Sequence, residues 1–384
     1  MIGSSRQATD YELRTTDYGS LAIVEPDATT WDEFTQRHSQ GHLLQSSGWG
    51  ALKASFGWER RHLAVANTAG LRAGAQMLFR HRMGISVAYV PRGPLFAGDN
   101  AADTLLLAAL ERQARRRRAV FLRIEPNVLE DDPAANVLHS FLLLHGFRMA
   151  DPIQPRSSVH LDLAPPPERL LAAMSKGHRA DIRRAAREGV AIRVGETDRD
   201  LDLFYTIMEA TGARAGFAIH SRDYYRIAWE LLRGSAAPGV RREHELGSGS
   251  HARLLLAERA GATLAAFLIF GWAGAGLYLY SGALEEGLKS GANHALQWQA
   301  LLWAKACGCA RYDFWGVPDA LGQAAATDDA AERARLEQAA QADPLAGVSR
   351  FKKGFGGRIV RYLPAYDLVY VPALYALWRR RFGG

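Results

Sequence analysis

The chain is predicted to be a mixed-sheet α/β protein made of two successive units that repeat one element order. Three observations carry this reading. Apolar residues fill 48% of the 384 positions, enough for a substantial core. The length exceeds what one hydrophobic core ordinarily organises, so two units are expected. Strand-like and helix-like runs then follow the same order in each half, which points to a duplicated layered fold.

In the first half, "LAIVE" reads as a strand, and "WDEFTQRHSQ" and "SGWGALKASFGW" as helices. Three strand-like runs follow: "RRHLAVAN", "LRAGAQMLFRH" and "ISVAYVPRGPLF". A helix from Ala101 to Arg118 leads into the strand "AVFLRIEPN", and the helix "VLHSFLLLHGF" closes the unit. After the Pro-bearing "DPIQPRSS" the order restarts with the strand "SSVHLDLA". "PPPERLLAAMSKGHRADIRRAAREGV" is predicted as one helix, with Pro at its entry and Gly189 at its exit. The strand "AIRVGE" and helices over Asp198–Gly212 and Arg222–Leu232 come next. The strands "ARLLLAER", "TLAAFLIFGW" and "GLYLYSGAL", the helix "ANHALQWQALLWAKACG" and the strand "RYDFWGVP" complete the repeat. Residues 319–346, rich in Ala, Gln and acids, read as a surface insertion without chemistry of its own.

Several classes are excluded. Ala260 to Leu284 carries no formal charge and is long enough to span a bilayer, but Gly271, Gly274 and Gly276 interrupt it. Two buried strands joined by a Gly-rich turn fit it better. Residues 1–20 lack the apolar run of an export signal. Cys307 and Cys309, two apart, neither bridge ordinarily nor suffice for zinc, so a reducing cytoplasm is expected. No G-x-S-x-G elbow, H-E-x-x-H pair or P-loop is present, and His81, His160 and His294 stand singly. No metal or cofactor is expected.

What the residues favour is binding of polyanions. The net charge of +7 suits RNA, an anionic membrane surface, nucleotides or pyrophosphates, although solubility alone would also explain it. Helical spacing places Lys176, Arg179, Arg183 and Arg187 on one stripe, with Met174, His178, Ile182 and Ala185 opposite. That stripe is a phosphate-binding candidate or a solvated face. The run Arg115 to Arg118 ends a helix, where cations meet the helix dipole favourably. Near the C-terminus, "GVSRFKKGFGG" sets Lys352 and Lys353 between Phe351 and Phe355. A lysine fixed among rings suits acyl transfer from an activated ester to an amine, a reaction that needs positioning and a partner for the developing oxyanion.

Five blocks together resemble the FemABX family of aminoacyl-tRNA-dependent peptidyltransferases, which extend the side chain of peptidoglycan precursors. They are "LLQSSGWGALKASFGW", "MSKGHRADIRRAAREGV", "TGARAGFAIHSRDYY", "LYLYSGALEEGLKSGANHALQWQALLWAKACGCARYDFWGVP" and "GVSRFKKGFGGRIVRYLPAYDL". The resemblance implies two tandem domains like GCN5-related N-acetyltransferases, with a cleft between them. One would comprise residues 1–155 plus about 359–384, the other 156–358. It further implies aminoacyl-tRNA as donor and a nucleotide-linked or lipid-linked peptidoglycan precursor as acceptor. Lys352 after Phe351 matches the lysine that stabilises the tetrahedral intermediate or leaving oxygen, with Lys353 as its neighbour. Lys53, four residues after Trp49, matches a lysine on the precursor diphosphate. Arg214, Arg222 and Tyr225 lie where the family supplies an arginine and a tyrosine to that ligand, and Tyr280, ahead of Tyr278, matches an aromatic position in the cleft.

Glu125 and Asp313 occupy equivalent places in the two halves, as candidate bases or as residues that tie down a loop. "LEEGLKSGANH" lacks the glycine pattern that cradles the pyrophosphate of coenzyme A, which disfavours that donor. Two other readings stay open: an N-acyltransferase of the same fold with another donor or a non-wall acceptor, and a non-catalytic RNA or membrane-surface binding protein. The C-terminal "VYVPALYALWRRRFGG" suits peripheral contact with an anionic leaflet at the inner face of the membrane, or docking on the first domain with its arginines outward.

Overall fold

The computed structural model describes residues 21–233 and 251–382; the expectation about an export signal in residues 1–20 lies outside them. The first half contains β1 (Ala22–Val24), α1 (Ala28–Arg37), a 3-10 turn (Leu43–Gln45), α2 (Ser47–Ser55), β2 (Glu59–Asn67), β3 (Gly70–Arg82), β4 (Ile85–Val90), α3 (Asn100–Arg116), β5 (Ala119–Ile124), α4 (Ala135–Leu144) and β6 (Arg148–Ala150). The second begins with β7 (Ser157–Asp162), α5 (Pro167–Ala173), α6 (Lys176–Arg187), β8 (Ala191–Gly195), α7 (Asp198–Ala215) and α8 (Arg222–Leu232). It continues through β9 (His251–Arg259), β10 (Ala262–Trp272), β11 (Ala275–Ala283), α9 (Glu285–Lys289), α10 (Ala292–Ala306) and β12 (Arg311–Gly316). The chain ends in α11 (Asp319–Ala326), α12 (Ala330–Ala342), α13 (Ala346–Lys353), β13 (Arg358–Arg361), β14 (Ala365–Val369) and α14 (Pro372–Phe382).

These strands form two seven-stranded sheets, ordered β1-β2-β3-β4-β5-β14-β6 and β13-β7-β12-β11-β10-β9-β8. Each sheet contains one parallel pair, β4 with β5 and β11 with β12, among antiparallel neighbours. Counted from β1 in the first sheet and from β8 in the second, the sixth place is filled by a strand from across a crossover. β7, which follows β6, pairs with β12 in the second sheet, and β14, which follows β13, pairs with β5 in the first. The expected return to the first unit near residue 359 falls inside β13, which still pairs with β7; the chain re-enters the first sheet at Ala365.

Each unit has its own apolar core, one around Phe79, Leu106 and Ile124 and the other around Phe267, Leu296 and Phe314. A third cluster crosses the seam, packing Leu43, Leu44, Trp49 and Leu52 of the first half against Phe204, Tyr225, Trp229 and Phe270 of the second. Burial of this many large apolar side chains, each contributing about 1.5–3 kcal/mol, holds the units together as one body. Ion pairs fasten the crossovers: Arg361 binds Asp319 and Glu130, Arg156 also reaches Glu130, and Ser157 donates to Asp319 at 2.7 Å.

Three differences from the sequence reading have physical causes. The single helix predicted over 165–190 breaks at Met174, whose extended backbone lets Ser175 cap α6. Arg179 stabilises the break by donating to the carbonyls of Ala172 and Met174, both at 2.7 Å. Residues 319–346 are not an inert insertion, because Asp319 at the start of α11 anchors the crossover. The uncharged segment 260–284 is the β10–β11 hairpin, as read from its glycines, and no helix among the described residues is long and apolar enough to cross a membrane.

Candidate functional site

The site is built where two neighbouring strands separate. β11 and β12 pair only through Ala275–Arg311, Gly276–Tyr312 and Leu277–Asp313, then part. Beyond that point β12 shifts register against β7 between Asp313 and Gly316, and Trp315 sits at φ +62°. A bulky residue in that left-handed region costs on the order of 1 kcal/mol or more and needs support from its surroundings. Asp313 supplies it. Its Oδ1 accepts from Trp315 N at 2.7 Å and from Ser158 Oγ, while its Oδ2 accepts from Tyr362 OH at 3.2 Å and faces His160 Nε2 at 3.3 Å. Those donors and the His160 charge outweigh burial and hold the carboxyl well below its ordinary range.

Lys352 points into this opening. It is only 5% exposed, and Nζ donates to Trp315 O at 3.1 Å and Gly316 O at 2.7 Å. The Tyr278 ring centroid lies 5.9 Å away. Burial pushes the ammonium down to about 7, against the opposing pull of Asp313. The aromatic flanks in "FKKGFGG" serve the helix rather than the ammonium. The Phe351 ring packs on those of His294 and Phe355 at 5.0 and 5.1 Å, and its carbonyl accepts from His178 Nε2 at 2.8 Å. The glycine at 354 is required, because a Cβ there would meet the His178 ring at 2.0 Å. Lys353, one residue on, is exposed.

The first half closes the opening from the other side. Gln45 fixes the 3-10 turn by donating to Pro91 O at 2.6 Å and accepting from Gln76 N at 2.7 Å. This sets the His42 ring 5.8 Å from Trp315. His42 Nδ1 accepts from Leu44 N, Nε2 has no hydrogen-bond partner among the described residues, and burial followed by the Arg92 charge pushes the imidazole well below its ordinary value. Arg92 lies over Tyr362 at 3.8 Å and Trp315 at 5.3 Å and donates to Pro155 O. Neither His42 nor Arg92 was singled out from the sequence, because their burial and their contact with Trp315 arise only where the two units meet.

A second group lies farther along the same seam. Lys53 Nζ donates to Tyr224 OH at 2.9 Å and sits 4.9 and 5.0 Å from the ring centroids of Trp49 and Tyr224. Tyr280 OH donates to Tyr224 OH at 3.4 Å. His220 stacks on Tyr224 at 3.8 Å, and partial burial with the Lys53 charge lowers its pKa. The tyrosine that meets Lys53 is therefore Tyr224, not the neighbouring Tyr225. Tyr225 lies in the seam core against Phe204, and its hydroxyl accepts from His220 N at 3.2 Å. With one Lys53 proton and the Tyr224 lone pairs engaged, two ammonium protons and the Tyr224 proton stay available to an anion.

Other predicted residues lie elsewhere. Arg222 pairs with Asp202, Arg214 is exposed in the last turn of α7, and Lys176, Arg183 and Arg187 are exposed on α6 while Arg179 is spent on the helix break. Glu125 is buried; it accepts from Tyr89 OH at 2.6 Å and from Gln154 N at 3.2 Å, and burial raises its pKa. A cavity of about 660 Å³ opens beside the seam, lined by Phe96, Phe141, His160, Arg311 and Tyr362, but neither Lys53 nor Lys352 reaches it.

The two helix starts that could cradle a pyrophosphate are filled. At α3, Asp99 accepts from Ala101 N at 2.8 Å, and Asp103 accepts from Ala97 N and Gly98 N at 2.7 and 3.0 Å. At α10, the backbone of α6 lies against the entry, since a Cβ on Gly291 would meet Asp181 O at 2.3 Å. Among the described residues no cluster of His, Cys, Asp and Glu could hold a metal ion.

Two mixed sheets that exchange strands across a seam define a tandem fold of the GCN5-related N-acetyltransferase type. The chain belongs to the FemAB family, whose profile matches residues 27–141, 140–232 and 251–380. Lipid II:glycine glycyltransferases are similar in sequence. The Staphylococcus saprophyticus protein is 28% identical over 212 residues, covering 52% of this chain and 50% of its own length. That of Staphylococcus aureus is 28% identical over 213 residues with the same coverage, so the chain matches about half the length of these relatives. Among solved structures, FemX superposes with a TM-score of 0.77 at 20% identity over 93% of this chain and 99% of its own. A tandem GNAT protein from the clavulanic acid biosynthesis pathway gives 0.50 at 14% identity, over 91% and 98%.

Proposed function

We propose that the chain transfers an aminoacyl group from aminoacyl-tRNA to an amine of a peptidoglycan precursor, building an interpeptide bridge or side-chain branch. The observation that carries this reading is the Lys352 ammonium, held by two carbonyls where β11 and β12 part. Family membership and the glycyltransferases to which the chain is similar support it.

In this reading the acceptor amine attacks the ester carbonyl carbon, the carbonyl oxygen becomes negative, and the C–O bond to the tRNA ribose breaks. Lys352 hydrogen-bonds the oxyanion and passes a proton to the leaving ribose oxygen, and the proton that the attacking amine sheds as the amide forms returns to the Lys352 amine, restoring the ammonium. An ammonium lowered to about 7 is well matched to that transfer. Phe351 positions Lys352 through α13. Asp313, tightly held and strongly acidic, braces the Trp315 turn and does not serve as the base.

Lys53 and Tyr224, beside Trp49 and Tyr280, would hold the diphosphate of the precursor through charge-assisted bonds. Lys353, Lys176, Arg183 and Arg187 would meet tRNA phosphates. The filled helix starts at Asp99, Asp103 and Gly291 argue against coenzyme A as donor. The test is incubation of the protein with a panel of charged tRNAs and a nucleotide-linked or lipid-linked precursor, followed by mass spectrometry of the stem peptide. A mass gain of one or more residues with some tRNA is expected; no adduct with any tRNA on either acceptor would overturn the assignment.

A further inference from the structure

We propose that the end of the first sheet remote from the seam docks on an anionic lipid bilayer, with the β3–β4 hairpin tip entering the headgroup layer. Chain register brings four segments together there. Arg82 pairs with Ile85 at the hairpin tip, and Ser86 is level with Ala119 at the start of β5. Ser86 N donates to Arg118 O at 3.1 Å, and Tyr370 N and Val371 N both donate to Val120 O, at 2.9 and 3.1 Å. The hairpin tip, the end of α3 and the entry to α14 thus share one face.

That face combines two features. Met83 at the tip is 90% exposed, and Ile85, Val371 and Leu374 are also exposed. Arg82, Arg116 and Arg118 are exposed around them and make no hydrogen bond or ion pair through their side chains among the described residues. Glu59 and Glu111, the acids beside them, are already engaged by Arg117 and Arg115. Unpaired cations ringing protruding apolar side chains match the boundary between lipid headgroups and acyl chains. RNA would use the arginines but gain nothing from Met83, so the bilayer is the better fit.

Orientation agrees with a membrane-borne acceptor. The six residues of β4 raise the seam roughly 20 Å above the tip, at about 3.3 Å per residue. The end of α2 that carries Lys53 leans toward the docking face, where Arg80 donates to Phe56 O. This alignment rests on the proposed acceptor; the docking rests on the surface alone and is tested separately.

The full chain would be sedimented with vesicles of phosphatidylcholine alone and with vesicles containing about one third phosphatidylglycerol. The expected result is at least tenfold stronger partitioning to the anionic vesicles. Arg116→Glu with Arg118→Glu should abolish it, and Met83→Asp should weaken it several-fold, both with unchanged circular dichroism and melting temperature. Equal partitioning to the two vesicle types, or none to either, overturns the proposal. So does retention of full binding by Met83→Asp. Loss of tRNA binding in the double arginine variant without vesicle binding by the parent would assign the face to RNA instead. Transfer to a soluble nucleotide-linked acceptor should be unaffected by Met83→Asp, so failure of docking and failure of the transfer reading are distinguishable.

Discussion

Arg123 and Asp367, 244 residues apart, form a two-bond ion pair of 2.8 and 2.7 Å between β5 and β14. The pair is deeply buried, Tyr375 OH donates to the same carboxylate at 2.6 Å, and Trp378 covers the guanidinium. It locks the returning strand into the first sheet. Asp367→Asn leaves a buried guanidinium with half its partner, and a loss of roughly 3–5 kcal/mol is expected in urea unfolding. Arg123→Met with Asp367→Leu should recover most of that loss; a double variant as unstable as the single one would show that the charges themselves are needed.

Lys352 makes stability depend on pH in a defined direction. Its folded value is about 7 against an ordinary 10.5, so between these the unfolded chain binds the proton more tightly. The penalty for the buried charge is full below pH 7 and is relieved as pH rises towards 10.5. Relative to Lys352→Met, the parent should therefore gain on the order of 2–4 kcal/mol between pH 6 and pH 10. Denaturant titrations of both proteins at the two pH values check this, and a constant difference would contradict it.

Tyr224 and Tyr225 are neighbours with opposite duties. Tyr224→Phe removes the oxygen that receives Lys53, and a five- to thirtyfold weaker affinity for the nucleotide-linked precursor is expected, about 1–2 kcal/mol. Tyr225→Phe should lower the melting temperature and leave affinity within twofold. Calorimetric titration of the two variants distinguishes them; the reverse ranking would place the acceptor elsewhere.

Coenzyme A and its acetyl thioester should not bind. Both helix starts that would meet a pyrophosphate are occupied, at α3 by Asp99 and Asp103 and at α10 by the backbone of α6. Equilibrium dialysis with millimolar ligand should show no saturable uptake. Submicromolar binding would mean that one of these starts opens.

Much of the architecture was legible because its signals are long. The glycines of the 260–284 run marked a hairpin, and the alternating elements marked two units. The last two strands were not legible as pattern: β13 has four residues and β14 five, too short for a periodic signal, so only the resemblance supplied the return to the first unit, and the place of β14 is fixed by a distant pairing such as Arg123 with Asp367. Lys352 stood out because phenylalanines flank it and its block resembles the family's Phe-Lys pair, although those rings brace α13 and the ammonium is held by the carbonyls of Trp315 and Gly316. Tyr224 was missed for Tyr225 because adjacent helical residues differ only by rotation about the axis, which sequence alone did not phase. Asp319 was missed because its low-complexity surroundings hid a single structural carboxylate. His42 and Arg92 owe their place to the seam, which forms only when both units are folded.

The central claim is that Lys352 carries negative charge developing on the ester during transfer. The most direct measurement is single-turnover formation of the amide from charged tRNA and a soluble precursor, comparing the parent with Lys352→Met and monitoring precursor affinity alongside. The account predicts a rate loss of about 10²–10³-fold with precursor affinity within twofold. Transfer at the parental rate by a folded Lys352→Met protein would contradict it.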